Sequence, residues 1–193
     1  MDSGTFFPIP RSAWKDKKYD QACEKIDELG LKSPVLVHLR KASIGLKIRG
    51  NTHPFIIRDW AFAHNGTIRK LNLKVTTDSL WFFESLIRIY ERNNQNMFRA
   101  IQEQIAAVHG IYPYTSITFI LSNGRDVYAY RDCTKNAKYY GMYYTGTHDS
   151  FVLCQEKFFD SDWKELGNGE LLKVDSGFNY TIKRLAEPIV AAI

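Results

Sequence analysis

Two amphipathic helical segments lie between groups of short apolar strands, and this order constrains the fold more than any other feature of the sequence. Thr76-Thr77-Asp78 is typical of a helix start, because hydroxyl and carboxylate oxygens accept from the first backbone N–H groups. Residues 97–109 predict a second helix from their helical apolar spacing. Residues 117–121 and 127–130 have strand patterns and flank Ser122-Asn123-Gly124-Arg125, which predicts a hairpin. Together these segments predict an α+β layered sandwich.

The rest of the chain adds one helix and several strands. Residues 18–29 have helical spacing, and Gly30 follows them as a helix stop. Residues 35–37 predict a buried strand that leads into His38 and Arg40, and residues 60–64 predict a strand that ends in a turn at Asn65-Gly66. The remaining predicted strands cover residues 139–144, 151–154 and 170–174, and residues 182–193 predict a short helix or a strand.

Length and charge exclude several classes of protein. The 193 residues suit a single domain, residues 1–193. The net charge of +5 comes from basic residues scattered along the chain, which does not favour a nucleic-acid partner. No apolar run approaches the roughly 18 residues of a membrane-spanning helix, and Met1-Asp2-Ser3-Gly4 does not begin a signal peptide. We therefore expect no membrane partner and a cytoplasmic location.

The cysteines and histidines form no recognisable disulfide or metal pattern. The three cysteines are widely separated, and we interpret them as reduced and structural. They are Cys23, Cys133 and Cys154. His38, His53 and His64 match no standard zinc spacing, so hydrogen bonding is the preferred interpretation for them and no metal is expected.

Three polar elements have complementary chemistry. Asn-Gly is a common tight-turn dipeptide, but an Asn amide beside an exposed backbone N–H could also form an oxyanion hole, as at Asn65-Gly66. The planar guanidinium of Arg40 suits a carboxylate, and the carboxylate of Asp78 suits an ammonium group. Together these groups would hold an α-amino acid with a side-chain carbonyl, although spacing alone does not show that they converge.

Five segments carry a resemblance to a known family. In chain order they are His38-Leu39-Arg40-Lys41-Ala42-Ser43, Asn51-Thr52-His53-Pro54-Phe55, Phe62-Ala63-His64-Asn65-Gly66, Thr77-Asp78-Ser79, and Ser122-Asn123-Gly124-Arg125 with Tyr128-Ala129. With a weaker sixth segment that starts at Cys154-Gln155-Glu156, they resemble the class II (N-terminal-nucleophile) glutamine amidotransferases. The match is closest to the stand-alone bacterial and archaeal branch.

The resemblance implies a role for each matching residue. Arg40 would bind the α-carboxylate of glutamine or of another γ-glutamyl amide, and Asp78 would bind its α-amino group. Asn65 and Gly66 would form the oxyanion hole, and Thr52-His53-Pro54-Phe55 would shape the pocket wall. The implied fold is an Ntn-hydrolase-like four-layer α/β/β/α sandwich with mostly antiparallel sheets. No cofactor is implied.

The chain departs from the family pattern at its start. The family nucleophile is an N-terminal cysteine whose α-amino group acts as the base, whereas residue 2 here is aspartate. The family's first strand also has no counterpart. We expect either an incomplete copy of an active enzyme, which needs a missing N-terminal segment or a partner subunit, or a degenerate relative. The vacant strand position also makes pairing with a second copy of the chain an option.

The resemblance predicts a glutamine amidotransferase type-2-like domain. In the complete family site, a Cys thioester would convert the side-chain amide to glutamate and ammonia. One alternative is a catalytically inactive module that binds γ-glutamyl groups or amino acids. A second alternative is a basic interaction domain without a small-molecule site.

Overall fold

The computed structural model describes residues 17–29, 34–38, 51–71 and 77–185. These residues form three α-helices and nine β-strands. In chain order the elements are α1 (Lys17–Leu29), β1 (Phe55–Ile57), β2 (Trp60–Ile68), α2 (Asp78–Arg92), α3 (Met97–Ile111), β3 (Tyr114–Ser122), β4 (Val127–Arg131), β5 (Tyr143–Gly146), β6 (Phe151–Cys154), β7 (Lys164–Glu165), β8 (Glu170–Val174) and β9 (Tyr180–Arg184).

Two antiparallel sheets account for all nine strands of the described residues. The larger sheet has the order β1-β2-β3-β4-β8-β9, and the smaller has the order β6-β5-β7. The predicted hairpin is confirmed, because Ser122 pairs with Val127 and the β3 and β4 ladders continue from that pair. Asn123 closes the turn by accepting from the backbone N–H groups of Arg125 and Asp126.

Both central helices begin where the sequence predicts. Thr77 is the N-cap of α2, and its hydroxyl accepts from the Leu80 backbone N–H. Asn96 caps α3 in the same way, through the Arg99 N–H. The apolar faces of the two helices pack on the larger sheet, where the rings of Phe62 and Phe83 lie 4.9 Å apart and are fully buried.

The opposite face of the larger sheet packs on the smaller sheet. The buried residues of this second core are Ala129, Met142, Tyr144, Leu166, Leu172 and Val174. Side chains alternate between the two cores along each strand, so that Leu171 belongs to the helix-side core and Leu172 to the inter-sheet core. The result is an α+β layered fold with antiparallel sheets, and the described residues form three layers: helices, larger sheet and smaller sheet.

Three sequence predictions about local structure are corrected. Residues 35–37 are not a buried strand: Val35 and Val37 are exposed and pair with no strand in the described residues. The strand predicted at 139–144 instead starts at Tyr143, because the preceding residues form turns. The strand predicted at 60–64 continues to Ile68, so Asn65-Gly66 lies inside it.

The predicted C-terminal element is partly described. A strand, β9, covers Tyr180–Arg184, and it pairs with β8 at one edge of the larger sheet. Residues 186–193 lie outside the described residues. Among the helices that the structure describes, none combines the length and the apolar character that a membrane crossing requires.

Candidate active site

Asn65 and Gly66 lie within the extended backbone of β2 and do not form the turn that the dipeptide predicts. Asn65 pairs with Thr118 and Gly66 with Ile117, and the register of the ladder shifts between Gly66 and Ile68. At Gly66 φ is +155°, and an added Cβ would lie 1.9 Å from the Ser116 carbonyl oxygen. Only glycine allows this close approach of β2 to β3.

The strand register directs the Gly66 N–H away from β3. The Ile117 N–H donates to the Asp132 carbonyl on the β4 side, so Ile117 directs both of its backbone groups toward β4. Gly66, its partner across the ladder, must therefore direct its own N–H to the outer side of β2. On that side the β1 ladder ends at the Phe55–Phe62 pair. The Gly66 N–H consequently lies beyond the end of β1, where a ligand could accept from it.

The side chain of Asn65 points toward the smaller sheet. Its Nδ2 donates to the Gln155 Oε1 at 2.9 Å, and the Gln155 Nε2 donates to the Gly141 carbonyl at 3.4 Å. A primary amide carries two N–H groups, so Asn65 retains a second donor. Asn65 and Gly66 are both half-buried, which keeps their donors accessible.

His64 joins β2 to the N-terminus of α2. Its ring is buried, with Nδ1 lying 2.9 Å from the Ser79 hydroxyl and Nε2 lying 3.2 Å from the Ser116 carbonyl. A carbonyl only accepts, so Nε2 carries the proton and Nδ1 accepts from Ser79. Burial lowers the pKa of His64 and outweighs the opposing effect of the Asp78 carboxylate. His64 is therefore neutral and has a structural role.

Asp78 is the first residue of α2 and lies close to the Asn65-Gly66 segment. Its Oδ2 accepts from the Ile68 N–H at 2.8 Å, and Ile68 is two residues from Gly66, a span of at most about 7 Å. The carboxylate is half-buried and sits where the α2 dipole favours negative charge. The structure thus brings Asn65, Gly66 and Asp78 into one region.

The other predicted ligand-binding residues are only partly located. Arg40 lies outside the described residues. Phe55 pairs with Phe62 and its ring is buried in the helix-side core, where it contacts the His53 ring at 4.6 Å. Thr52, His53 and Pro54 precede β1, and the backbone bends at His53 and Pro54.

A second histidine–carboxylate group lies where β3 and β4 approach the end of α3. We call it the Asp132 cluster, and it consists of His109, Tyr114, Tyr130, Asp132 and Asn168. The Asp132 Oδ2 is 2.6 Å from the His109 Nε2 and accepts from the Tyr114 hydroxyl at 2.9 Å. Its Oδ1 accepts from the Asn168 Nδ2 at 3.1 Å. The carboxylate is almost fully buried and has protein donors on both oxygens.

None of the cysteines has the environment of an activated thiol. Burial raises the pKa of Cys133 and of Cys154, which disfavours the thiolate. Cys23 is exposed on α1. Within the described ranges, no group of three or more His, Cys, Asp or Glu side chains could hold a metal ion.

Gln155 is the site residue whose contact the sequence did not predict. It lies in the weakest of the matching segments, and its partner Asn65 is 90 positions away in sequence. The buried link from His64 to Ser79 was also not predicted. A helix start with Ser after Asp was visible in the sequence, but its pairing with a strand residue was not.

The described residues thus combine a layered antiparallel α+β sandwich, two adjacent donors inside β2 and a carboxylate at the start of α2. The comparisons identify the family. The family model for class-II glutamine amidotransferases matches residues 20–164, and the chain belongs to that family.

Individual proteins and solved structures are also similar to this chain. An uncharacterized protein of Methanocaldococcus jannaschii is 28% identical over an alignment of 194 positions. The alignment covers 81% of this chain and 55% of that protein. The structure of a glutamine aminotransferase class-II domain protein from Silicibacter pomeroyi superposes with a TM-score of 0.62 at 21% identity, covering 92% of this chain and 84% of that chain.

The fold also matches the glutamine phosphoribosylpyrophosphate amidotransferase of B. subtilis. The TM-score is 0.56 at 14% identity, and the match covers 77% of this chain and 34% of that chain. At such identities the two structural likenesses show the fold alone. The chain spans about half the length of the Methanocaldococcus relative.

Proposed function

We propose that this domain binds glutamine or another γ-glutamyl amide at the Asn65 end of β2. In the complete family site, it would hydrolyse the side-chain amide to glutamate and ammonia. The observation that carries the proposal is the pair of adjacent donors, the Asn65 Nδ2 and the outward-directed Gly66 N–H. Two donors on adjacent residues suit a carbonyl oxygen that gains negative charge.

Recognition of the amino-acid end would use opposite charges. Asp78 would accept from the α-ammonium group. Its contact with the backbone N–H of Ile68, two residues along β2 from Gly66, supports this assignment. Arg40 would hold the α-carboxylate through its planar guanidinium, and Thr52-His53-Pro54-Phe55 would form the wall beside them. Each of these contacts is a proposal that rests on the family motif and on the location of the neighbouring residues.

The proposed chemistry needs a thiol together with a free α-amino group. The thiol would attack the carboxamide carbon, the tetrahedral oxyanion would be held by Asn65 and Gly66, and the amine would protonate the departing ammonia. Water would then cleave the thioester to give glutamate. The environments of Cys133 and Cys154 do not favour this role, so a cysteine from outside these 193 residues would act as the nucleophile.

A catalytically inactive binding module is the alternative. It would use the same donors and the same carboxylate but would release the ligand unchanged. The raised pKa values of the buried Cys133 and the half-buried Cys154 support this alternative. For either function we propose a cytoplasmic domain that acts on a small molecule and not on nucleic acid or membranes, which the scattered basic residues support.

Titration calorimetry with L-glutamine tests the proposal. Wild-type protein should bind glutamine, and Asp78→Asn should weaken binding about tenfold or more, since it removes a charge-assisted hydrogen bond. Asp59→Asn, an exposed carboxylate in the β1–β2 turn, is the matched control and should bind like wild type. Absence of glutamine binding by the folded protein would overturn the proposal and favour a basic interaction domain.

An ammonia-release assay separates the two candidate functions. Binding without turnover supports the module. Turnover that appears only when a segment with an N-terminal cysteine is supplied supports the enzyme.

A further inference from the structure

A chain of two side-chain amides connects the proposed oxyanion hole to a backbone carbonyl. The Gly141 carbonyl accepts from the Gln155 Nε2 at 3.4 Å, and the Gln155 Oε1 accepts from the Asn65 Nδ2 at 2.9 Å. The carbonyl at the start of this chain can only accept, so it selects the orientation of Gln155. Gln155 in turn presents only an oxygen to Asn65, so it selects the orientation of the Asn65 amide.

The orientation of this amide is important because its two ends have nearly the same shape. Rotation of Asn65 by 180° would replace its N–H groups with an oxygen acceptor. A flipped Asn65 would place Oδ1 against the Gln155 Oε1, so that two acceptors would face each other. It would also present an acceptor where the substrate oxygen needs a donor.

The carbonyl that starts the chain is held firmly. The guanidinium of Arg131 is buried and donates to three backbone carbonyls, those of Ala137, Tyr140 and Leu166. Two of these carbonyls belong to the turn just before Gly141. Charge-assisted bonds of this kind are among the strongest in proteins, so the turn is fixed on β4.

We infer that Gln155 is a positioning residue, which keeps the amide nitrogen of Asn65 directed into the oxyanion hole. The inference rests on the proposed function. Gln155 touches no reacting atom. The Gln155 Oε1 accepts from one N–H of the Asn65 amide, and this hydrogen bond directs the second N–H toward the ligand carbonyl.

The test compares two ligands of similar length in titration calorimetry. L-glutamine has a side-chain carboxamide, and L-norleucine has an ethyl group in its place. Gln155→Ala should weaken glutamine binding about fivefold to tenfold and change norleucine binding less than about twofold. Gln155→Glu should restore glutamine binding only in part, because its carboxylate still accepts from the Asn65 Nδ2 but places an oxygen against the Gly141 carbonyl. Asn179→Ala, which removes an amide from the exposed β8–β9 turn, is the matched control and should bind both ligands normally.

Two results would overturn the inference while the proposed function stands. The first is wild-type glutamine binding that Gln155→Ala leaves unchanged. The second is an equal loss of affinity for both ligands, which would indicate general structural damage. Asn65→Ala should also remove the preference for glutamine, and adding Gln155→Ala to it should have no further effect. If wild-type protein fails to bind glutamine at all, the proposed function itself is refuted.

A nuclear magnetic resonance experiment tests the positioning without a ligand. The two side-chain N–H signals of Asn65 should differ widely in chemical shift in wild type, because one N–H is hydrogen-bonded. In Gln155→Ala they should move toward the values of an exposed amide. Unchanged signals would contradict the inference whether or not glutamine binds.

Discussion

Two regions of this molecule contain a histidine, an aspartate and hydroxyl groups, yet their hydrogen bonding differs. In the Asp132 cluster, both carboxylate oxygens accept from side chains of the protein, including Tyr114 and Asn168. At the Asn65 end of β2, Asn65 keeps a second amide N–H and the Gly66 N–H is directed beyond the last pair of β1. The first region is satisfied internally, whereas the second has donors to offer a ligand.

Residue types alone therefore do not identify a site. The His109 Nε2 lies 2.6 Å from the Asp132 Oδ2, whereas the two ring nitrogens of His64 lie 2.9 Å and 3.2 Å from their partners. A buried carboxylate with donors on both oxygens stabilises a fold, because leaving it unpaired would carry a large desolvation penalty. Half-buried groups with remaining hydrogen-bonding capacity are better candidates for binding.

The largest expected effect is that of Gly66→Ala. The new Cβ would lie 1.9 Å from a backbone oxygen at a φ of +155°, so neither strand can relieve the overlap cheaply. We expect a loss of more than about 3 kcal/mol in the free energy of unfolding, measured by urea denaturation.

Gly110→Ala is the matched control for Gly66→Ala. A Cβ at Gly110, in α3, would meet no atom within 4 Å. It should stabilise the protein by about 0.5 to 1 kcal/mol, since alanine is the better helix former. Equal effects of the two substitutions would show that β2 does not approach β3 as described.

The next effect separates the two regions by their aspartates. Asp132→Ala should lower the free energy of unfolding by about 3 kcal/mol, because it leaves the half-buried His109 and the buried Tyr114 without their acceptor. Asp78→Asn should cost less than about 1 kcal/mol, because its oxygen can still accept from the Ile68 N–H. Urea denaturation of both variants measures the difference.

The two aspartate variants should also differ in whether they affect binding or stability. Asp78→Asn should impair glutamine binding far more than stability, and any folded Asp132 variant should show the reverse. If Asp132→Ala is as stable as wild type, the Asp132 cluster is not the structural element that its hydrogen bonds indicate.

The smallest effect concerns pH. Burial lowers the pKa of His64 in the folded protein below its ordinary value of 6.5, so the unfolded chain binds more protons in the interval between the two values. The contribution of His64 to stability is fully present above about pH 6.5 and decreases as the pH falls toward the folded-state pKa. The slope is at most about 1.4 kcal/mol per pH unit.

The comparison that isolates this contribution is wild type against His64→Gln, denatured with urea at a series of pH values. The variant has no titrating ring, so the difference in stability between the two proteins should shrink as the pH falls below 6.5. A difference that stays constant with pH would contradict a depressed pKa at His64.

Local patterns predicted much of the fold correctly. The two helix starts at Thr77 and Asn96, and the hairpin around Asn123, depend on short-range hydrogen bonds that side chains make with nearby backbone. The prediction of a turn at Asn65-Gly66 was wrong, because it depended on local preference alone. The dipeptide favours a turn, but the pairing with Thr118 and Ile117 of β3 keeps the backbone extended.

The candidate site was predictable only in part. The family motifs named Asn65, Gly66 and Asp78, and the tertiary structure brings these three together. The apolar run Val35-Leu36-Val37 predicted a buried strand, but Val35 and Val37 are exposed, because burial depends on which element covers a segment. The roles of Arg40 and Thr52 in ligand binding stay predictions.

The sequence by itself determined the helices, the hairpin and the family, since these depend on local spacing and on motifs that can be read along the chain. The tertiary structure decided which donors are satisfied. The direction of the Gly66 N–H follows from the register of β2 against β3, and the contact of Asn65 with Gln155 joins residues 90 positions apart. Such long-range pairings are fixed by packing of whole sheets and helices, which no local pattern records.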